Sequence, residues 1–122
     1  MQTAAGVVAV SLLGLLCVFQ VALAAGAPLG NYAWGGQHRI LPTALRIGSG
    51  VTVLIYLVLA GVALGAAGLI GWQPPGILVW AAFALLATGI VMNAISRSRS
   101  ERMLMTPVVI VLAACFLVLA LG

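Results

Sequence analysis

The chain has 122 residues, of which 65% are hydrophobic and only 5% are charged. A soluble domain carries about 25% charged residues, and a chain this short has too much surface to hide so many apolar side chains from water. The charged residues are five arginines and one glutamate, for a net charge of +4. Because the arginines lie only at the ends of apolar runs, they indicate contact with lipid phosphates and exclude nucleic acid as the expected partner.

The first predicted element is a membrane-spanning helix over residues 3–26. The first 38 residues contain no Arg, Lys, Asp or Glu, and a helix needs about 20 apolar residues to cross the hydrocarbon core. The run Ala22-Leu23-Ala24 has the small-x-small form of a signal-peptidase site. The segment lacks a basic n-region and is longer than the apolar part of a signal peptide, so we expect a retained span.

The loop over residues 26–39 is the least ordinary stretch, because Gly and Pro set a specific backbone path there. It contains aromatic, amide and imidazole side chains at Tyr32, Trp34, Gln37 and His38, which a simple connector does not require. They predict an ordered loop that is folded onto the membrane face and caps nearby polar groups. Aromatic residues at this depth also anchor helices at the interface, and a lone loop His is commonly a surface donor. The candidate contacts with lipid headgroups are Tyr32, Trp34, His38, Arg39 and Arg46.

The second span is predicted over residues 44–70. It contains Gly61 and Gly65 in a G-x-x-x-G pair, and small residues at this spacing let two membrane helices approach closely. The pattern predicts helix packing at these two glycines, either against a neighbouring helix of the same chain or against a second copy.

Two further spans are predicted over residues 77–95 and 103–121, after a turn at Pro74-Pro75 that no helix can continue through. Ser98-Arg99-Ser100-Glu101 fits a capping box, in which Ser98 bonds the amide of Glu101 and the Glu101 carboxylate reaches back to the Ser98 amide. This interpretation gives the only acidic residue a structural role and leaves no carboxylate inside a span. It therefore counts against a proton-coupled drug exporter.

These elements predict an all-α fold, an integral membrane four-helix bundle in a single domain over 1–122. A short similarity between residues 39–43 and 102–106 suggests two tandem helical hairpins. All five arginines fall in the first and third loops or just inside the following helices. By the positive-inside rule these loops lie in the cytoplasm and both termini lie outside.

Neutral polar residues inside the spans cost free energy unless they are paired. One interpretation is a set of interhelical hydrogen bonds, each worth about 1 kcal/mol or less. The other is a polar pocket open to the cytoplasmic side of the membrane. The candidate pocket residues are Gln20, Thr52, Tyr56, Thr88 and Asn93.

Catalytic and metal-binding patterns are absent from the sequence. Cys17 and Cys115 form no C-x-x-C and no Cys/His cluster, so neither a metal site nor a redox motif is predicted. One Glu and one His without a paired carboxylate, and no phosphate-binding or dinucleotide motif, favour a protein that is not an enzyme and needs no cofactor.

The run Ala25-Gly26-Ala27-Pro28-Leu29-Gly30, followed by Trp34-Gly35-Gly36, resembles a group of small uncharacterised bacterial membrane proteins with four spans. This resemblance implies the same topology and a location in the bacterial cytoplasmic (inner) membrane. It brings no activity, cofactor or catalytic residue with it.

Two functions remain from the sequence. The first is a self-assembling or accessory membrane subunit without catalysis, favoured by the glycine-rich helices and short loops. The alternative is a small transporter, channel or binding protein for lipids or small molecules, with its polar pocket in the cytoplasmic half. The expected partners are membrane lipid and either further copies of the chain or a larger membrane complex.

Overall fold

The computed structural model describes all 122 residues and contains four α-helices and no strand. The helices are α1 (Gln2–Ala24), α2 (Thr43–Ala66), α3 (Gly76–Ala94) and α4 (Arg99–Leu121). All four are long and apolar enough to cross a membrane. The predicted all-α, four-helix membrane bundle is therefore confirmed, and the chain is a small membrane-embedded protein.

Helix α2 ends four residues before the predicted boundary at residue 70 because a glycine terminates it. Gly68 has a φ of +75°, a left-handed conformation that glycine adopts without a Cβ penalty. The Leu69 N–H then donates to the Leu64 carbonyl at 2.9 Å, as in a Schellman motif. Gly26, with a φ of +95°, lies at the corresponding position after α1.

Helix α4 begins four residues before the predicted start at residue 103, because Ser98 caps it. The Ser98 Oγ accepts a hydrogen bond from the Glu101 N–H at 3.3 Å, as the capping box requires. The reciprocal bond is absent, since the Ser98 N–H donates to Ser96 Oγ at 3.1 Å. The prediction was therefore right for the serine cap and wrong for the Glu101 carboxylate, which is left for another partner.

The helices pack as two hairpins. Helix α1 lies along α2 and α3 lies along α4, while the contact of α1 with α4 joins the pairs and α2 scarcely touches α3. One apolar core runs through the bundle, with Leu13, Leu112 and Phe116 almost completely buried. Because lipid tails are as apolar as these side chains, close packing is what stabilises the association.

The first and third loops meet at one end of the bundle, which we call the arginine end. The Ser98 Oγ donates to the Asn31 carbonyl there. At the opposite end, Gln2 Nε2 donates to the Val118 carbonyl at 3.2 Å and ties the two terminal helices together. The arginine-bearing loops therefore lie on one side and the termini on the other, while the cellular side of each remains a prediction.

The two glycines of the G-x-x-x-G pair have different surroundings. A Cβ at Gly65 would lie 2.7 Å from both the Trp72 carbonyl oxygen and the Pro74 Cδ, whereas a Cβ at Gly61 would have no neighbour within 4 Å. Gly6 of α1 makes a close contact with the C-cap of α2, since a Cβ at Gly6 would lie 2.5 Å from the Ala67 Cβ. Of the two glycines, only Gly65 is packed closely against other residues of the same chain. Gly61 has no such neighbour, so helix packing at Gly61 would have to involve a second copy of the chain.

Alanine substitutions at this pair are expected to separate the two positions. Gly65→Ala should lower the free energy of unfolding by about 1–3 kcal/mol, because the added methyl group overpacks against backbone that cannot move freely. Gly61→Ala should leave it unchanged or raise it by up to about 1 kcal/mol, because alanine is the better helix former. Unfolding in mixed micelles with increasing dodecyl sulfate measures both, and equal losses would contradict this packing.

Candidate functional site

The first loop is ordered and covers the arginine end of the bundle. It contains two short 3-10 turns, Gly30–Tyr32 and Trp34–Gly36. The Gly30 N–H donates to the Arg39 carbonyl at 2.8 Å, which closes the loop on itself. A Cβ at Gly30 would lie 2.7 Å from that same oxygen, so glycine is required there. These contacts confirm the predicted ordered loop.

Trp34 is held in an unusual conformation by contacts with α2. Its φ of +52° lies in the left-handed region, which bulky residues rarely adopt. Its indole Nε1 donates to Ser49 Oγ at 3.1 Å, and Ser49 is completely buried. The ring also lies over Gly48, where a Cβ would approach Cζ2 to 2.9 Å. These contacts hold Trp34 against α2. We call the two turns of the first loop, Gly30–Tyr32 and Trp34–Gly36, the roof of the bundle.

Beneath this roof lies a cavity of about 100 Å³, which we call the inner cavity. It combines polar side chains from all of the elements around it. Gln20 comes from α1, Tyr56 from α2, Asn93 from α3 and Glu101 from α4, while the first loop adds three residues. The lining residues are Leu16, Phe19, Gln20, Tyr32, Ala33, Trp34, Tyr56, Asn93, Glu101, Met105 and Val109.

A larger outer cavity of about 540 Å³ adjoins the inner one at the arginine end. The two cavities share Trp34, Asn93 and Glu101. The outer cavity is bounded by the first loop, the end of α3 and the start of α4, and it also presents Gln37 and Ser96. The inner and outer cavities are therefore neighbours, with Trp34, Asn93 and Glu101 in the wall that they share.

Two of the five predicted pocket residues do not line the inner cavity. The Thr52 hydroxyl donates to the Gly48 carbonyl at 2.9 Å, and Thr52 lines a neighbouring crevice that shares Tyr56, Asn93 and Val109 with the inner cavity. Thr88 is exposed and donates to the Ala84 carbonyl at 3.0 Å. A threonine in a helix can satisfy its hydroxyl on its own backbone in this way, so its polarity requires no tertiary partner.

Three acceptor groups in the cavity have no partner in the chain. Gln20 is 9% exposed, and its Oε1 is buried without a hydrogen bond. Asn93 donates its amide to the Gly89 carbonyl at 2.8 Å, which leaves its oxygen available. Glu101 is 8% exposed, and its carboxylate has neither a hydrogen bond nor an ion pair within the chain. Of the three, only the Gln20 Oε1 is completely buried, and because buried polar groups are normally hydrogen-bonded, it makes this cavity the candidate site.

The sequence interpretation missed Glu101 because the capping box already assigned its carboxylate a partner. The helical spacing carried the missing signal. Counted along α4, Glu101 occupies the same face as Met105, Val109 and Leu112, all of which are buried. A residue that continues the apolar face of a helix faces the interior whatever its charge.

None of the five arginines lines either cavity. The Arg46 Nε donates to the Ala24 carbonyl at 2.9 Å and the Arg102 Nη1 to the Ser96 carbonyl at 2.8 Å. Each satisfies a carbonyl at or just beyond a helix C-terminus, where a positive charge is stabilising. His38 and Arg39 are exposed at the arginine end, a position compatible with the predicted headgroup contacts.

The inner cavity presents polar groups that could accept hydrogen bonds from a ligand. Its unpaired groups are hydrogen-bond acceptors and one carboxylate, set among aromatic rings. No group of three or more His, Cys, Asp or Glu side chains is arranged to hold a metal ion. No protein-family model matches the chain, and no curated protein or solved structure is significantly similar to it.

Proposed function

We propose that this chain is a small-molecule-binding membrane protein, of the transporter or ligand-binding class, whose inner cavity takes up a small polar ligand. The observation that carries the proposal is the buried, unpartnered Gln20 Oε1 beside Asn93 and Glu101. A hydroxyl or amide buried without a hydrogen bond costs about 1–3 kcal/mol on the scale of protein mutations. A ligand with N–H or O–H donors would recover that free energy.

The pocket favours binding over the purely structural subunit that the sequence placed first. A structural subunit needs packed helices, and it gains nothing from unpaired acceptors under an ordered roof. Assembly remains compatible with binding, because the apolar groove of about 360 Å³ between α2 and α3 and the open face at Gly61 lie away from the pocket. The proposal involves no catalytic step and no cofactor.

Location in the bacterial cytoplasmic membrane is part of the proposal. The positive-inside rule assigns the arginine end to the cytoplasm, so the outer cavity would open to cytoplasmic solutes and the termini would lie outside. Lipid is the expected partner of the apolar helix surfaces.

Native mass spectrometry of the protein, extracted gently from its own membranes, is expected to retain a small-molecule adduct. Gln20→Leu and Asn93→Leu should each lower the bound fraction about tenfold, since a hydrogen-bonding group left without a partner costs about 1–3 kcal/mol. Thr88→Val is the matched control, because it removes a hydroxyl from α3 that lies outside the pocket.

The same experiment separates the two functions. An adduct that persists equally in Gln20→Leu, Asn93→Leu and Thr88→Val would show that the pocket does not bind it. Complete absence of an adduct together with other protein chains in the complex would support the accessory subunit instead. Either result would overturn the proposed function.

A further inference from the structure

We infer that the ligand is a small organic cation, an alkylammonium or guanidinium group, held with Glu101 as its counter-ion. This inference rests on the proposed binding function and specifies the charge of the ligand. It follows from the juxtaposition of an unpaired carboxylate, neutral acceptors and several aromatic rings around one cavity.

The charge of the site is negative, although the chain as a whole carries +4. Glu101 is the only charged residue that lines either the inner or the outer cavity. The neighbouring cations Arg46 and Arg102 are hydrogen-bonded to backbone carbonyls and do not reach the carboxylate. A cationic ligand would therefore meet one fixed negative charge and no competing positive charge on the cavity wall.

The start of α4 does not remove the need for a counter-ion. A helix N-terminus stabilises a nearby carboxylate by about 0.3–1 kcal/mol at the surface and by up to about 2 kcal/mol in a partly buried geometry. It supplies backbone N–H groups and partial charge, but no full positive charge. Because Glu101 is 8% exposed and has no ion pair within the chain, a ligand cation would supply the counter-ion that the helix N-terminus does not.

The remaining wall suits an organic cation better than a metal ion. Phe19, Tyr32, Trp34 and Tyr56 line the inner cavity, and the faces of aromatic rings attract ammonium and guanidinium groups. The Gln20 Oε1 can accept an N–H from such a group. Hard metal ions instead require about six oxygen ligands at fixed distances, and the carboxylate of Glu101 has no second acidic side chain beside it.

The test uses tert-butylammonium chloride and the nearly isosteric neutral tert-butyl alcohol. The protein carries Trp72→Phe and Trp80→Phe, so that Trp34 is the only tryptophan, and is placed in phosphatidylcholine nanodiscs. Titration with tert-butylammonium should give a saturable change of Trp34 fluorescence, and the alcohol should give none. Glu101→Gln should weaken binding at least about tenfold, because it removes a charge-assisted contact worth about 1.5–3 kcal/mol.

A second pair of variants tests the aromatic wall without touching the carboxylate. Tyr32→Phe keeps a ring and should bind tert-butylammonium within about twofold of the parent, whereas Tyr32→Leu should bind it about threefold or more weakly. Dodecyl sulfate unfolding checks that each variant is folded. Equal binding by Tyr32→Leu and Tyr32→Phe would contradict a role of the ring in binding the cation.

The outcomes distinguish this inference from the proposed function. If Glu101→Gln binds as the parent does, or if sodium chloride gives the same fluorescence change, the organic cation is the wrong ligand class. An adduct in native mass spectra that depends on Gln20 but not on Glu101 would keep the binding function and overturn the cation. No adduct and no fluorescence change in any variant would overturn both.

Discussion

Gly30→Ala is expected to disorder the first loop and to lower the free energy of unfolding by about 3 kcal/mol, at the upper end of typical overpacking costs. An added Cβ would overlap the carbonyl oxygen of His38 and lie 2.7 Å from that of Arg39. Both obstacles are backbone atoms, which cannot rotate away as a flexible side chain does. Relief of the overlap would also break the Gly30 N–H bond to Arg39.

Hydrogen–deuterium exchange of the amides over residues 29–39 measures this loss, because the closing hydrogen bonds of the loop protect those amides. Gly35→Ala is the control in the same loop. Its φ of +77° penalises a side chain, but a Cβ there has open space, so it should cost only about 1–2 kcal/mol. Equal exchange in Gly30→Ala and the parent would show that the roof does not depend on this close contact.

Glu101→Gln is expected to raise the free energy of unfolding of the ligand-free protein, because a largely buried carboxylate without an ion pair is replaced by a neutral amide. The variant keeps the size of the side chain and the Ser98 cap on its amide, but it replaces an unpaired buried carboxylate with a neutral group. The largely buried carboxylate loses part of its hydration without gaining an ion pair, whereas its favourable interaction with the start of α4, up to about 2 kcal/mol in a partly buried geometry, opposes that loss.

The measurement is dodecyl sulfate unfolding of Glu101→Gln, Thr88→Val and the parent, all freed of adduct. A gain in stability confined to Glu101→Gln would mark the carboxylate as a group kept at the expense of stability, as binding residues often are. A loss of stability in Glu101→Gln would contradict this and would mean that the carboxylate stabilises the folded chain. The control should differ from the parent by less than about 0.5 kcal/mol, as surface substitutions usually do.

The sequence predicted correctly some, but not all, of the polar residues that line the inner cavity. Gln20, Tyr56 and Asn93 were predicted to share a pocket, and they line one cavity. Thr88 was placed with them by depth alone, yet its hydroxyl bonds its own helix and the side chain is exposed. Depth in the membrane is a one-dimensional coordinate, and it does not give the direction in which a side chain leaves its helix.

Glu101 shows a second limit, since two local patterns competed for the same residue. The capping box assigned its carboxylate to the Ser98 amide, but that amide bonds Ser96 instead. Glu101 instead follows the periodicity of the buried face of α4, because contact with the other helices determines which face of α4 is buried. Only the packed bundle decides between two local patterns that the sequence satisfies equally.

By itself the sequence determined four membrane-spanning helices and the gathering of the arginines at one end. These features follow from the length of apolar runs and from the need of a spanning backbone to satisfy its own hydrogen bonds, both of which are local properties. The tertiary structure decided where α2 and α4 end and begin, which polar groups remain unpaired, and that the first loop roofs a cavity containing Glu101. Those features depend on contacts between residues far apart in the chain, as in the bond between Trp34 and Ser49, and no local pattern specifies them.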